Sequence, residues 1–204
     1  CRRQRQMCIR DSYKSYNVDL NNFHTTHSKE NKELTEHFFN SAYEKGDIYT
    51  KEIEQLFDEQ KNIFLSDRFV KGECPSCGAK DQYGDACEVC GKTYDALDLK
   101  NPYSTLSNSE PVIKKSKHYF FKLNNFKEFL NETVSEISNQ DPIKEKLKEW
   151  FDSGLKDWDI SRDEPYFGFK IPNEDSKYLY VWLDAPIGYL SSIKNWCNSN
   201  NIDF

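Results

Sequence analysis

Four cysteines arranged as two CxxC pairs place the strongest constraint on how this chain folds. The pairs are Cys74-Pro-Ser-Cys77 and Cys87-Glu-Val-Cys90; a glycine follows each pair, and nine residues separate them. A CxxC segment forms a tight knuckle that directs two thiolates at one ion, and the following glycine relieves the strained backbone. Four thiolates fill the tetrahedral shell of Zn²⁺ and leave no position for water, so the pattern predicts one structural zinc ion.

Three other interpretations of these cysteines stay open: an iron site of rubredoxin type, a dithiol redox pair, and four unrelated thiols. A redox pair is disfavoured because a thioredoxin-like CxxC opens a helix after a strand, whereas each pair here lies in a polar loop. The chain has seven cysteines, and an odd number fits metal ligands in a reducing compartment better than disulfides. Zinc ribbons serve many functions, so the pattern predicts a folding device and no particular task.

Composition excludes some classes of function. The net charge of -6 argues against strong binding of a phosphate backbone by these 204 residues alone, since that affinity comes from Lys and Arg. The 14 Phe, 12 Tyr and 4 Trp are spread along the chain and predict a globular fold. No apolar run approaches the roughly 18 residues that cross a bilayer, and no segment has the order of a signal peptide. We therefore expect a cytoplasmic protein that does not enter the membrane.

The first twelve residues, CRRQRQMCIRDS, differ in composition from the rest. They hold four arginines and the single methionine, Met7, whereas the remainder is rich in Lys and Asn. The shift predicts that residues 1–12 are a non-native, adaptor-like segment. The alternative is a basic targeting or nucleic-acid-binding arm.

Local patterns predict the main elements. Residues 16–27 have extended character, and a helix then begins after Ser28 as its cap and ends at Gly46. Its predicted apolar face consists of Leu34, Phe38 and Ala42. Further predictions are antiparallel strands over 48–69, a strand over 112–123, two helices from about residues 126 and 141, and a buried strand over 178–183 that begins a βα step of a parallel sheet.

The segment 158–189, WDISRDEPYFGFKIPNEDSKYLYVWLDAPIGY, resembles the methionyl-tRNA synthetase family. The resemblance continues backwards through EWFDSGL, HYFFKL, the cysteine segment and FLSDRFVKG to NNFHTTHS, and it covers essentially everything after Ser12. It implies an α/β fold with an α+β insertion: a Rossmann-type class I catalytic domain split by a connective-peptide domain with the zinc knuckle. By this resemblance, residues 13–28 are the tail of the first Rossmann half. Residues 29–179 are the insertion with the knuckle at 74–90, and residues 180–204 start the second half, so the catalytic domain is incomplete.

The resemblance implies ATP-dependent activation of methionine and its transfer to tRNA-Met in translation, with Zn²⁺ as a structural ion and ATP with Mg²⁺ as substrate. The two ATP-binding signatures of the family, HIGH and KMSKS, are absent. His24, His27, His37 and His118 are followed by other residues, and the only methionine is Met7. Nothing here neutralises the phosphate charge that develops during adenylate formation. We therefore assign no catalytic residue and expect the chain alone to be inactive.

The resemblance also assigns a methionine pocket. Its residues are Trp182, Ala185, Pro186, Ile187 and Tyr189, with Trp158 as an aromatic that shifts when methionine enters. A thioether is apolar and polarisable, so aromatic faces and a small residue form a suitable slot. The alternative is that Trp182 and its neighbours are core residues of a buried strand.

Several points stay open from sequence. The roles of Arg162, His24 and His27 are undecided. The alternative to a piece of an aminoacyl-tRNA ligase is a free-standing zinc-ribbon binding module in a larger assembly. A free-standing module would leave the apolar 178–183 strand with an exposed edge, so we favour the ligase.

Overall fold

The structure, a computed structural model, describes residues 2–137 and 141–204 and has a mixed α/β fold. The elements in chain order are α1 (Arg2–Ser15), α2 (Lys29–Glu44), β1 (Ile48–Asp58), β2 (Ile63–Phe64), β3 (Val70–Glu73), β4 (Gln82–Tyr83), β5 (Lys100–Ser104), β6 (Val112–Phe121), α3 (Lys127–Ile137), α4 (Asp141–Ser153), β7 (Trp158–Asp159), β8 (Ser161–Asp163), β9 (Lys177–Leu179) and α5 (Val181–Ser199). Short 3-10 turns lie at Asp67–Phe69, Ala96–Asp98 and Leu123–Phe126.

The chain divides into two compact units. One consists of Cys1–Ser41 together with Tyr180–Phe204, and the other is Ala42–Leu179. The first unit is helical, whereas the second holds all the named strands. The assignment of these segments to the parts of a split catalytic domain stays a prediction.

The second unit is built on an antiparallel sheet with the strand order β2-β1-β6-β7. Strands β1 and β6 pair over ten positions, from Ile48 opposite Phe121 to Phe57 opposite Val112. The residues between Asp58 and Ile63 form the turn that joins β1 to β2. The predicted antiparallel strands are therefore confirmed for β1 and β2, and the predicted strand from Val112 is confirmed as β6, whereas Asp67–Phe69 form a 3-10 turn.

A smaller antiparallel sheet, β4-β3-β5, carries the cysteine segment. A hydrophobic cluster of four buried residues forms its core: Leu56, Leu65, Val70 and Leu99. Leu56 comes from β1 of the larger sheet, so this cluster joins the small sheet to the larger one. The apolar packing thus gives the cysteine loops a fixed base.

Helix α2 begins and ends as predicted, but its buried face was predicted wrongly. The Ser28 hydroxyl accepts the backbone N–H of Asn31 at 3.1 Å, which is the expected cap. Gly46 follows the helix with φ +79°. The buried residues are Asn31, Thr35 and Phe39, whereas Phe38 is 44% exposed. Two polar residues thus occupy the inward face, and apolar periodicity cannot reveal such a face.

The prediction of an extended strand before α2 was wrong. Residues 16–28 form turns, bends and irregular backbone after α1, which covers most of residues 1–12. Instead of pairing with a neighbouring strand, this segment forms hydrogen bonds that involve side chains. Asn22 donates to the backbone oxygen of Ser192 at 2.8 Å, and Asn31 donates to the backbone oxygen of Thr26 at 2.8 Å. The segment is therefore hydrogen-bonded to helices α2 and α5.

The prediction of a parallel βα step at 178–183 was also wrong. Strand β9 ends at Leu179, pairs antiparallel with β8, and is followed by α5 from Val181. The apolar run YLYVWL therefore divides between the end of a strand and the first turn of a helix. A short continuous apolar run fits a buried strand and a helix equally well, so the boundary could not be read from it.

Candidate functional site

The structure brings the four predicted cysteine ligands together. Their sulfur atoms all lie within 4.8 Å of one another. Cys74 Sγ is 3.9 Å from Cys90 Sγ, and Cys77 Sγ is 3.6 Å from Cys87 Sγ. Sulfurs at about 2.3 Å from a zinc ion stand about 3.8 Å apart in a tetrahedron, whereas a disulfide requires about 2.05 Å. The cluster therefore has the dimensions of a tetrahedral metal centre and contains no disulfide.

The two CxxC segments form matching knuckles. The backbone N–H of Gly78 donates to the Cys74 oxygen at 3.0 Å, and that of Gly91 donates to the Cys87 oxygen at 2.8 Å. Both glycines have a positive φ, +73° and +70°, which side-chain-bearing residues rarely adopt. The glycine after each CxxC is thus required by the turn that aims the two sulfurs.

The charge of the cluster favours a cation. Burial acts to raise the pKa of the Cys74 thiol, but the backbone N–H groups of Cys77 and Ser76 lower it to about 6. The N–H of Ala79 acts to lower the pKa of Cys77, yet burial and the neighbouring sulfurs raise it to about 12. Ionisation of one thiol in the cluster therefore disfavours ionisation of a second. A bound cation removes this conflict, because coordination deprotonates thiols.

One supporting residue was not predicted from the sequence. Gln82 is buried in β4, accepts the backbone N–H of Glu88 at 2.8 Å, and donates to the Lys80 oxygen at 2.7 Å. It therefore ties the second CxxC loop to the small sheet. Asp81 instead accepts the hydroxyl of Tyr103 at 2.9 Å, so it belongs to the surface rather than to the metal shell. Only its position between the CxxC pairs marks Gln82 in the sequence.

Helix α5 carries five of the predicted pocket residues on two different faces. Trp182 is 64% exposed and Tyr189 is 80% exposed, while Pro186 is exposed and Ala185 half-buried. Ala185, Pro186 and Tyr189 follow Trp182 by three, four and seven residues, which places these four on one side of the helix. Ile187 is buried with Asp184 and Ser191 on the opposite side. The structure therefore brings together Trp182, Ala185, Pro186 and Tyr189 and separates them from Ile187.

The buried face of α5 is held by the segment 22–31, within the same compact unit. Asn31 is fully buried and donates to the backbone oxygen of Asp184 at 3.2 Å. Burial raises the pKa of the Asp184 carboxyl, although backbone N–H groups oppose the shift. A Cβ atom at Gly188 would lie 2.7 Å from Cγ2 of Thr26, so the Thr26 side chain packs directly against the backbone of α5 there. Neither Asn31 nor Gly188 was singled out from the sequence.

Two histidines left undecided by the sequence lie in this segment. Nε2 of His24 is 3.5 Å from the Glu30 carboxylate, and Glu30 accepts the side-chain amide of Asn195 at 2.8 Å. His24 therefore lies beside the Glu30 carboxylate of α2, which is itself bonded to α5. His27 lies beside the cap of α2, where its backbone N–H contacts Thr25 Oγ1 at 3.4 Å.

Trp158, the last predicted pocket residue, and Arg162, whose role the sequence leaves undecided, lie in the other unit. Trp158 is half-buried in β7, opposite Phe121 of β6. Arg162 in β8 donates to the backbone oxygen of Ser161 at 2.5 Å and lies 3.5 Å from the Asp159 carboxylate. These two side chains are carried by the short segment that follows α4.

Across residues 2–137 and 141–204, none of the helices joins sufficient length with the apolar character that a transmembrane span needs.

Comparison with known proteins identifies the family. A family model described as tRNA synthetases class I (M) matches residues 1–204. The methionine–tRNA ligase of Psychrobacter sp. (strain PRwf-1) is 57% identical over 190 residues, and that of Psychrobacter cryohalolentis is 56% identical over 186 residues. These alignments cover 91% and 89% of this chain, and each covers 27% of the relative. The chain thus spans about a quarter of the length of these relatives.

The fold is also similar to that of solved structures. Mycobacterium tuberculosis methionyl-tRNA synthetase in complex with methionyl-adenylate has a TM-score of 0.59 at 16% identity, with 90% of this chain and 32% of that chain covered. The apo form of the same enzyme gives 0.57 at 16% identity and covers 93% and 34%. At this identity the similarity concerns the fold alone, and it confirms the predicted fold class. With the family model matching from end to end and close relatives above half identity, the chain belongs to the class I methionyl-tRNA synthetases.

Proposed function

We propose that this chain contributes the zinc centre and one wall of the methionine pocket to a cytoplasmic methionine–tRNA ligase that uses ATP with Mg²⁺ and tRNA-Met. The observation that carries the proposal is the 57% identity to such a ligase over 91% of the chain. No observation favours the alternative of a free-standing zinc-ribbon module.

The metal is proposed to be one Zn²⁺ held by Cys74, Cys77, Cys87 and Cys90. Sulfur separations of 3.6 and 3.9 Å support this choice, as does a donor set of four thiolates. The ion would neutralise the thiolates and fasten the two loops to each other. Since four protein ligands leave no open position, its part is structural.

The methionine wall is proposed to be the exposed face of α5. Exposure of Trp182 and Tyr189 supports the pocket over a core role, because core aromatics are buried. Ala185 lies between them along the helix and provides the small side chain that a slot for a thioether needs. Pro186 shares this face, whereas the buried Ile187 supports the wall from behind.

The test is a chimera in which this chain replaces the matching segment of the Psychrobacter sp. (strain PRwf-1) ligase. We expect the chimera to catalyse methionine-dependent exchange between ATP and pyrophosphate, and the isolated chain not to. Trp182→Ala should lower kcat/KM for methionine. The loss should correspond to about 2 to 4 kcal/mol of transition-state stabilisation, the cost of losing a large aromatic contact. Most of the loss should fall on the KM for methionine, with the KM for ATP unchanged.

The matched control is Val181→Ala, an exposed neighbour on the same turn. It should leave the KM for methionine near that of the chimera. An unchanged KM in Trp182→Ala, or equal losses in both variants, would refute the pocket assignment while leaving the family assignment intact.

A further inference from the structure

A buried histidine on an inner strand of the larger sheet lies between two carboxylates. His118 of β6 is fully buried. Its Nδ1 is 2.8 Å from Asp159 Oδ2, and its Nε2 is 2.9 Å from Asp163 Oδ2. Nε2 also lies 3.1 Å from the side-chain oxygen of Gln55 in β1. Every polar atom that meets the ring is therefore an acceptor.

The protonation state of this ring follows from its neighbours. A neutral imidazole carries one N–H, so its other nitrogen would direct a lone pair at a carboxylate oxygen less than 3 Å away. Burial acts to raise the pKa of Asp163, but hydrogen bonds from His118 and Lys177 outweigh burial and lower it, so this carboxylate stays ionised. Burial acts to lower the pKa of His118, and the hydrogen bonds to Asp159 and Asp163 outweigh that effect and raise it above 6.5.

The other charged groups around the ring complete a closed network. Lys177 of β9 is buried and contacts both Asp163 and Ser116 of β6. Arg162 lies 3.5 Å from Asp159, on the exposed side. Glu174 is occupied by Lys117 and the Tyr119 hydroxyl, so it does not compete for the ring. The two acceptors nearest His118 are thus fixed by further donors.

The network joins one short segment to the main sheet. Strand β7 pairs with β6 at only two positions, Phe120 with Asp159 and Phe121 with Trp158. The backbone N–H of Ile160 donates to the Tyr119 oxygen at 2.9 Å, and the Tyr119 N–H donates to Ser161 Oγ at 2.9 Å. Backbone pairing over so few positions holds this segment only weakly. His118 adds two charge-assisted hydrogen bonds, one to Asp159 near the start of the segment and one to Asp163 at its end.

We propose that His118 is a positioning residue that, as a buried imidazolium, fixes the segment Trp158–Asp163 against β6 and thereby sets the place of Trp158 and Arg162. The inference rests on the proposed function only for the significance of Trp158. Its test measures the segment itself and does not depend on methionine binding, so either proposal can fail without the other.

The pH dependence has a defined sign. A folded-state pKa raised above the unfolded value contributes stability that is fully present below about pH 6.5 and is lost as the pH rises through the folded value. The segment should therefore loosen on the alkaline side. Loss of protection on the acid side alone would not come from His118.

The experiment uses the 204-residue chain labelled with ¹⁵N. At pH 7 the ring nitrogens of His118 should both give the shifts of protonated nitrogen, and hydrogen-exchange protection of the Ile160 amide, corrected for intrinsic rates, should fall at least about tenfold once His118 has titrated. His118→Gln should show that lower protection at pH 7 already. His37→Gln, which removes an exposed histidine of α2, is the matched control and should change neither value.

Asp159→Asn provides a second measure if His118→Gln fails to fold, because it keeps the ring and removes one charge. The titration of His118 should then move to lower pH. A neutral single tautomer of His118 at pH 7, an unmoved titration in Asp159→Asn, or full protection of Ile160 in a folded His118→Gln variant would each overturn the proposal.

Discussion

At the residue scale, two groups of side chains organise the second unit: the four cysteines, whose sulfurs lie within 4.8 Å of one another, and His118 with its two carboxylates. The cysteines could be predicted as one cluster, because the chemistry of paired thiols leaves few choices. The residues around them, such as Gln82, could not be predicted, because a glutamine between two CxxC pairs resembles any surface glutamine. The same holds for His118, which is recognisable only once Asp159 and Asp163 are seen on either side of its ring.

A first prediction concerns the metal ligands. Cys74→Ser should abolish stoichiometric zinc binding and unfold the two knuckles, since metal binding and local folding are one equilibrium in such sites. Metal content by elemental analysis, together with circular dichroism, measures both effects. Cys8→Ser replaces an exposed thiol outside the cluster and should retain one zinc per chain. Full zinc retention in Cys74→Ser, or iron in place of zinc in the unmodified chain, would contradict the assignment.

A second prediction concerns the buried carboxylate that ends β1. Asp58 accepts the Ser107 hydroxyl at 2.6 Å and the Lys61 backbone N–H at 3.0 Å. Burial acts to raise its pKa, but hydrogen bonds from Ser104, Ser107 and the backbone lower it to about 2. A lowered folded pKa gives stability that is present above about pH 4 and disappears as the pH falls towards 2.

Asp58→Asn should therefore flatten the acid side of the stability profile between pH 5 and 2, as followed by urea unfolding at a series of pH values. Asp203→Asn, at an exposed position near the end of the chain, should keep the slope of the unmodified protein. An unaltered acid slope in Asp58→Asn would show that other carboxylates dominate this range.

At the element scale, periodicity predicted where elements lie better than which way they face. The cap at Ser28 and the stop at Gly46 were correct because each depends on local backbone chemistry. The buried face of α2 was wrong because Asn31 and Thr35 point inward. Residues 178–183 were assigned to a single strand, although only tertiary pairing decides that β9 ends at Leu179 and α5 begins at Val181.

A third prediction follows from the two faces of α5. Ile187 is 9% exposed, so Ile187→Ala should reduce the free energy of unfolding by about 2 to 3 kcal/mol through lost burial and a residual cavity. Trp182→Ala, on the exposed face, should change it by less than about 1 kcal/mol. Denaturant unfolding followed by circular dichroism compares the two. The reverse order of costs would make Trp182 a core residue.

At the scale of the whole molecule, the resemblance to a family predicted what local patterns could not. The fold class was predicted because long motifs such as YVWLDAPIGY specify a family, and the comparisons confirm it. The antiparallel connection of β8 and β9 was missed because the analogy with a parallel sheet was extended to a segment that only pairing can assign.

A fourth prediction uses the division into two units. Removal of zinc by a chelator should raise hydrogen exchange in residues 70–104, which contain the knuckles and the small sheet. Protection in α5 should persist, because the knuckles belong to the compact unit Ala42–Leu179 and α5 belongs to the other one. Hydrogen exchange with peptide-level resolution measures both regions at once. Uniform loss of protection would mean that the two units unfold together.

The contact between Gly188 and Thr26 limits how this protein can vary. In a helix interior, alanine normally stabilises the protein by about 1 kcal/mol relative to glycine. Helix propensity alone would therefore favour alanine at position 188, but the added Cβ would collide with Thr26. The obstructing atom belongs to a β-branched side chain with little freedom to turn away. A deep mutational scan should therefore find position 188 intolerant on its own but permissive when Thr26 is shortened to Ser or Gly. The two sites, 162 residues apart in the sequence, are expected to vary as a pair.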